Sequence, residues 1–203
     1  SAKLNDCIEL QDGSSFTNQG KLTLTKAANA AKNQSALVIA GKTKTTKFVH
    51  DSEFPLNITG LSDSSIAVLV DTMGVFENKK IVNISGSEPD SSIVVLGKMN
   101  NFNDAILTLD KGSVTVGPTG NFTNDYIFEL KQAGSKLVTN GTSLNNGFYN
   151  YAGGGAFSEG TGQITDNGLA FRDTVDAAGS CTIDLTNLSL EWFEGAASLG
   201  KSD

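Results

Sequence analysis

Chemistry in this chain would have to come from very few groups. Asp166, Asp173 and Asp176 lie late in the sequence, with Arg172 among them. Several acids on one face, beside a basic proton acceptor, are what a polysaccharide hydrolase or lyase needs. In so irregular a stretch these four read more simply as solvated loop charges, with Arg172 paired to a neighbouring acid. His50 is the single histidine. It excludes a zinc site built on several histidines, and any Ser-His-Asp triad would depend on it alone. Beside Asp51 and close to Lys42, Lys44 and Lys47, it reads as a surface or turn residue. No G-x-S-x-G elbow is present, and Cys7 is not read as a nucleophile. The chain is expected not to be an enzyme.

Oxygen ligands are more plentiful. Glu77-Asn78, Asn103-Asp104 and Asn124-Asp125 recur at comparable places. If those places stack, Asp104 and Asp125 would offer calcium the oxygens it prefers. No EF-hand or calcium-binding nonapeptide accompanies them, so turn chemistry without a metal is the reading. No cofactor is expected, with calcium as the one ion the corners would suit. Tyr126, Tyr149, Tyr151 and Trp192 are the side chains able to stack on sugar faces. Tyr149 and Tyr151 share a face in an extended segment. With Trp192 they form the speculative ligand-binding set, set against a plain role in anchoring a glycine-rich loop.

The charge balance narrows the partners. The chain has 203 residues and a formal net charge of -7, with Arg172 the sole arginine. Nucleic-acid binding is excluded for want of a basic patch, and so is a site that grips anions with several arginine forks. No run approaches the ~18 apolar residues of a membrane span. The first residue is Ser1, with no apolar leader after it, which reads as a mature or trimmed chain. N-x-Ser/Thr sequons at Asn33, Asn57, Asn83, Asn121, Asn140 and Asn187 point to glycosylation and an exterior location.

The elements that would position these groups come from a repeated phrase. Ile8-x-Leu10, Phe16-Thr-Asn18 and Leu22-x-Leu24 form its first copy. Val68-x-Val70, Phe76-Glu-Asn78 and Val82-x-Ile84 form another, and Val114-x-Val116, Phe122-Thr-Asn124 and Phe128-x-Leu130 a third. A looser copy runs Val94-x-Leu96, Phe102-Asn-Asp104, Leu107-x-Leu109, and one more keeps Phe48, Phe54 and Leu56 at matching offsets. Self-similarity at this period marks stacked repeats. Ser35, Ser65, Ser92, Ser113 and Ser135 open successive copies, and alternating Val, Ile, Leu and Thr give each strand one buried face. The fold expected is all-β, a right-handed parallel β-helix with a degenerate C-terminal closing segment. Its alternative is an antiparallel β-sandwich or jelly roll. One domain is expected over 1–203, with a repeat region at 7–134 and an irregular, loop-rich capping part at 135–203. Residues 25–33 are the one helix former, about two turns. Phe16, Phe76, Phe102 and Phe122 are expected to stack about 4.8 Å apart, and the asparagines two residues later to form an amide ladder at a corner.

Cys7 and Cys181 test this picture. A disulfide needs Cα atoms within about 7 Å, and several rungs at about 4.8 Å each keep the chain ends further apart than that. An internal bridge would need the C-terminal segment to fold back. Free thiols, a bridge between subunits, or a sandwich whose ends meet are the other options.

The phrases Phe16-Thr-Asn-Gln-Gly-Lys-Leu-Thr-Leu, Phe76-Glu-Asn-Lys-Lys-Ile-Val-Asn-Ile and Phe122-Thr-Asn-Asp-Tyr-Ile-Phe-Glu-Leu resemble rungs of surface-adhesin β-helices. Bacterial autotransporter or haemagglutinin passengers and fungal hyphally regulated wall proteins are of this kind. The resemblance covers 7–134 and implies a secreted or cell-surface protein engaged in adhesion, wall structure or self-association. The function expected is a non-catalytic extracellular structural or adhesion module, a rigid β scaffold. A self-assembling filament or surface-layer subunit is the first alternative, and a carbohydrate-active enzyme on a β-helix the second. Its partners would be carbohydrate, a host or neighbouring surface protein, or copies of itself.

Overall fold

Alternation of apolar and polar residues over four to five positions makes short strands, and a short strand cannot bury its apolar face alone. The computed structural model shows how this chain meets that need. It describes residues 7–25, 35–59, 66–85, 91–132, 135–152, 160–173 and 182–184. The first turn comprises β1 (Ile8–Leu10), β2 (Ser15–Asn18) and β3 (Leu22–Thr25), and the second β4 (Leu37–Ile39), β5 (Thr46–His50) and β6 (Leu56–Thr59). The third holds β7 (Val68–Val70), β8 (Gly74–Asn78) and β9 (Ile81–Ser85), and the fourth β10 (Ser91–Val95), β11 (Lys98–Asn101) and β12 (Ile106–Lys111). The fifth holds β13 (Ser113–Val116), β14 (Asn121–Asn124) and β15 (Ile127–Leu130), and the sixth β16 (Leu137–Thr139), β17 (Thr142–Asn145) and β18 (Phe148–Ala152). After them come β19 (Gln163–Asp166), β20 (Leu169–Asp173) and β21 (Thr182–Asp184).

Every third strand pairs in parallel with its counterpart in the next turn, giving three sheets wound as a right-handed β-solenoid. The first sheet runs β1-β4-β7-β10-β13-β16, the second from β2 to β19, and the third from β3 to β20. Parallel pairing throughout this stack removes the antiparallel sandwich; only β20 and β21 pair antiparallel. The interior is dry and continuous, with Leu37, Val68, Ile93 and Val114 from the first sheet facing Leu56, Val82, Leu107 and Phe128 from the third.

Register corrects the aromatic stack expected from sequence. Phe16, Phe48 and Phe76 align, with ring centroids 5.5 and 5.4 Å apart. Met99, not Phe102, continues that column, followed by Phe122. The reason is local. Only residues 96–97 separate β10 from β11, so the strand starts early and Phe102 falls in the following corner, half-buried. Phe54 drops out for the opposite reason. Residues 51–55 make a longer corner, Leu56 takes the core position, and Phe54 is left 57% exposed.

The tail also differs from expectation. Turns continue past Ser135, with β16 to β20 in register on their predecessors. The phrase is disguised there because Ser143 and Ile164 occupy the phenylalanine column. Of the two readings open for 140–162, a loop or a degenerate rung, the strands Thr142–Asn145 and Phe148–Ala152 bear out the rung. Residues 26–33 of the expected helix, and 185–193 of the expected closing strands, lie outside the described residues.

Corners obey backbone limits. A Cβ on Gly97 would sit 2.3 Å from the carbonyl oxygens of Asp71 and Gly74, so only glycine fits where two turns press together. Gly112 alone joins β12 to β13 and has φ +95°, which glycine adopts without strain.

The aromatic column sets a graded expectation. Phe76→Ala, fully buried, should cost about 3–5 kcal/mol. Phe16→Ala, in the first turn and 38% exposed, should cost clearly less. Urea midpoints measured at unchanged slope will show the order.

Candidate functional site

The longest run of buried polar side chains lies at the corner between the second and third sheets. Asn18, His50, Asn78, Asn101, Asn124, Asn145 and Asp166 occupy one register column at the ends of β2, β5, β8, β11, β14, β17 and β19. The Asn78 Nδ2 donates to Asn101 Oδ1 at 2.8 Å, and Asn101 Nδ2 to Asn124 Oδ1 at 2.7 Å. Asn124 Nδ2 donates to Asn145 Oδ1 at 2.7 Å, and Asn145 Nδ2 to Asp166 Oδ1 at 2.8 Å. The second proton of each amide is used too: Asn78, Asn101 and Asn124 donate to the carbonyls of Ile106, Ile127 and Phe148 in the next turn. Each asparagine thus satisfies its own amide and a corner carbonyl, which is what burial demands of a polar group.

His50 belongs to this column. Sequence placed it on the surface; the structure leaves it fully buried, because β5 ends on it as the other strands end on asparagine. Its Nδ1 lies 3.1 Å from Asn18 Nδ2. Burial is the main influence and pushes its pKa below the usual histidine value.

The outer surface carries a second, exposed chain of amides. Asn167 Nδ2 donates to Asn146 Oδ1, and Asn146 Nδ2 to Asp125 Oδ1 at 2.8 Å. Asp125 is therefore engaged as an acceptor in a side-chain ladder. Asp104 is exposed with φ +66°, a left-handed turn residue one corner earlier. Among the described residues no group of three or more His, Cys, Asp or Glu is placed to hold a metal. Glu77, the third member of the oxygen set, pairs with Lys47 at 2.7 Å.

The remaining sequence candidates disperse. Tyr149 is 1% exposed and stacks on Phe128 with centroids 5.0 Å apart, so it is a core residue and not a contact surface for sugar. Alternation on β18 turns it inward, opposite the apolar column of the third sheet. Tyr151 lies in the same strand, opposite Leu130, and Tyr126 is half-buried in a corner. Asp166 ends the buried ladder in the second sheet, whereas Arg172 and Asp173 lie on β20 in the third. Cys7 is an exposed free thiol whose Sγ lies 3.8 Å from the Thr25 carbonyl. Of the sequons, Asn57 and Asn83 are register neighbours, with Asn83 Nδ2 donating to Asn57 Oδ1 at 3.1 Å. Asn121 Oδ1 accepts from Thr123, and Asn140 Oδ1 accepts from the Thr161 amide. Asp176, Cys181, Trp192, Asn33 and Asn187 lie outside the described residues.

Two features escaped sequence reasoning. One is Asp12, whose Oδ1 accepts from the successive amides of Lys42, Thr43 and Lys44 at 2.9, 2.9 and 2.7 Å, while Oδ2 takes the Thr43 hydroxyl. These hydrogen bonds hold its pKa far below the usual carboxylate range. The contacts span about thirty residues in sequence, so only the second turn's register brings them together. The other is the uneven length of the corners. Connections from the first to the second sheet run from two residues (96–97) to six (40–45), and from the second to the third from two (79–80) to five (51–55). Connections from the third sheet back to the first span 26–36, 60–67, 86–90, Gly112 and 131–136, or eleven, eight, five, one and six residues.

Comparison with family models, with characterised proteins and with solved structures gives no match. The chemistry of the site therefore has to be read from its own geometry. The buried ladder is arranged to satisfy polar groups and to lock register.

Two expectations follow from these contacts. Asn101→Ala leaves Asn78 and Asn124 short of a partner inside the core and should cost about 3 kcal/mol or more. Asn100→Ala, on the outer face of the same strand, should stay within about 0.5 kcal/mol of the parent in the same urea series. Asp12→Ala should lower the melting temperature at neutral pH. The sign is fixed by the depressed pKa: the stabilisation is present above about pH 4 and lost as pH falls through the folded-state value. The melting curves of parent and variant should therefore converge in strong acid.

Proposed function

We propose that this chain is a non-catalytic extracellular scaffold, a rigid β-solenoid that presents loops to a carbohydrate or a surface protein. The observation that carries the reading is the contrast between corners. Two of them span two to six residues, while the third spans one to eleven between strands that stay in register. Binding residues collect on variable connections supported by a fixed frame. The secreted or cell-surface location belongs to the same proposal, supported by the sequons and by the resemblance to adhesin rungs.

A self-assembling filament or surface-layer subunit is the second reading. Phe16 favours it: it ends the Phe16-Phe48-Phe76 stack and remains 38% exposed at the first turn. Exposed ends of parallel sheets can accept strands from a neighbour.

The exposed Cys7 thiol, beside the Thr25 carbonyl at the variable corner of the first turn, allows a maleimide dye to be attached, and the parent and both loop replacements carry the identical label. Labelled protein should be retained on an array of immobilised neutral and acidic polysaccharides or on intact cell-wall preparations. Replacing residues 60–65 or 86–90 with Gly-Ser linkers of equal length should reduce that retention at least tenfold and leave the circular dichroism spectrum unchanged. Retention that ignores both replacements would defeat the display reading. Release of reducing or unsaturated sugar ends would show catalysis instead, and concentration-dependent polymers in sedimentation velocity would favour the filament.

A further inference from the structure

The buried ladder is continuous from Asn78 to Asp166 and interrupted before it. His50 makes no side-chain hydrogen bond to Asn78, although β5 and β8 are paired and the two residues are in register. Its Nε2 is buried and has no hydrogen-bond partner of ordinary geometry. In later turns the equivalent amides reach the carbonyls of Ile106, Ile127 and Phe148. The matching group for His50 is the Ile81 backbone, which hydrogen-bonds the ring outside ordinary geometry and, second to burial, acts to raise its pKa. On the other side, Asn18 Oδ1 accepts from the Gly20 amide at 3.3 Å, which turns Asn18 Nδ2 toward His50 Nδ1. That network assigns Nδ1 as the acceptor and puts the ring proton on Nε2.

From this geometry we propose that His50 is an acid-sensitive joint, at which protonation frees the first two turns, β1 to β6, from the rest of the solenoid. A proton added to Nδ1 would face the Asn18 amide donor, so the ring would lose its one good hydrogen bond. It would also place a positive charge in the closed core beside Phe48 and Phe76. Opening between the second and third turns relieves the charge, because it lets water reach the ring on its β8 side. An asparagine in this position would have no such response, since an amide carries donor and acceptor at any pH near neutral. The residue type at one ladder position therefore separates the first two turns from later turns whose amides are joined.

The charged groups around the joint do not supply the same response. Asp51 follows His50 directly and favours its charged form, but it pairs with Lys79 at 3.7 Å. Glu53 pairs with Lys80 at 2.7 Å, and Asp104 in the next corner acts on the same Lys80. On the outward face, Lys47 of β5 pairs with Glu77 of β8. β2 brings Ser15, Phe16, Thr17 and Asn18 and no titratable group.

The sign follows from linkage. The imidazole is held neutral in the closed form and has its ordinary pKa of about 6.5 when released. The open form therefore binds more protons, and opening grows as pH falls below about 6.5, by up to tenfold per pH unit.

A single histidine makes the test direct. The imidazole C2 proton, followed by NMR in the full chain, should keep its neutral shift to well below pH 6.5. A midpoint at or above 6.5 would overturn the proposal. Hydrogen exchange corrected for intrinsic rates should then show the amides bonded across the second and third turns, those of Leu37, Thr46, Asp71, Met73 and Lys79, losing up to about tenfold of their protection between pH 6.5 and 5.5, with β11, β14 and β15 unchanged. His50→Asn should abolish that difference, because it extends the amide chain from Asn18 to Asn78. Loss of protection spread evenly over all turns, or an equal loss in His50→Asn, would also overturn it. Neither result bears on whether the variable corner binds carbohydrate, which the array measurement decides separately.

Discussion

The structure depends on parallel strands staying in register from one turn to the next, and the buried amide ladder is what makes register specific. Apolar columns alone tolerate slippage, because Leu, Val and Ile substitute for one another at modest cost. A slipped turn in this solenoid would strand the Asn101 amide away from Asn78, Asn124 and the Ile127 carbonyl at once. Each orphaned group would bear the desolvation cost of an unpaired buried dipole. The ladder thus works through the penalty for alternatives more than through the net strength of its bonds. The same logic lets the third corner vary. Residues inserted there, between β3 and β4 or between β6 and β7, do not alter how Leu37 meets Val68 or how Leu56 meets Val82.

Much of this was legible in the sequence, and the reasons can be named. Phe16, Phe76 and Phe122, each followed two residues later by asparagine, lie on the second sheet with core positions on either side. Spacing identified them because the short corners between sheets keep offsets nearly constant. Where a corner changed length the reading slipped. Phe102 looked like the column residue, and Met99 holds that place. His50 looked like a surface charge because its neighbours are polar, and the structure gives it the position of a ladder asparagine. Neither error concerns residue character; both concern which member of a local group falls on the strand. Position in a β-solenoid is decided by the turn before and the turn after, and those lie 21 to 32 residues away along the second-sheet column.

The candidate site was less legible than the fold. Tyr149 has the side chain of a sugar-stacking residue and the environment of a core residue. Alternation decides between the two, and the register of β18 on β15 sets the alternation. Asp12 gives the converse case. Alone it is one acid among many, and only the approach of three successive amides from the next turn makes it a fixed anchor for the 40–45 corner.

The ladder also has a direction. From Asn78 onward each amide nitrogen donates toward the next turn, as far as the carboxylate of Asp166, which also accepts from the Gly168 amide at 3.2 Å. An amide offers a donor on one side and an acceptor on the other, so a run of buried asparagines is satisfied only when every one points the same way. Flipping the Asn101 amide would set its nitrogen against the Asn78 nitrogen and its oxygen against the Asn124 oxygen, leaving like groups opposed on both sides. The ladder thus fixes the orientation of each corner side chain as well as the register of the strands that carry it, which apolar columns of Leu, Val and Ile cannot do.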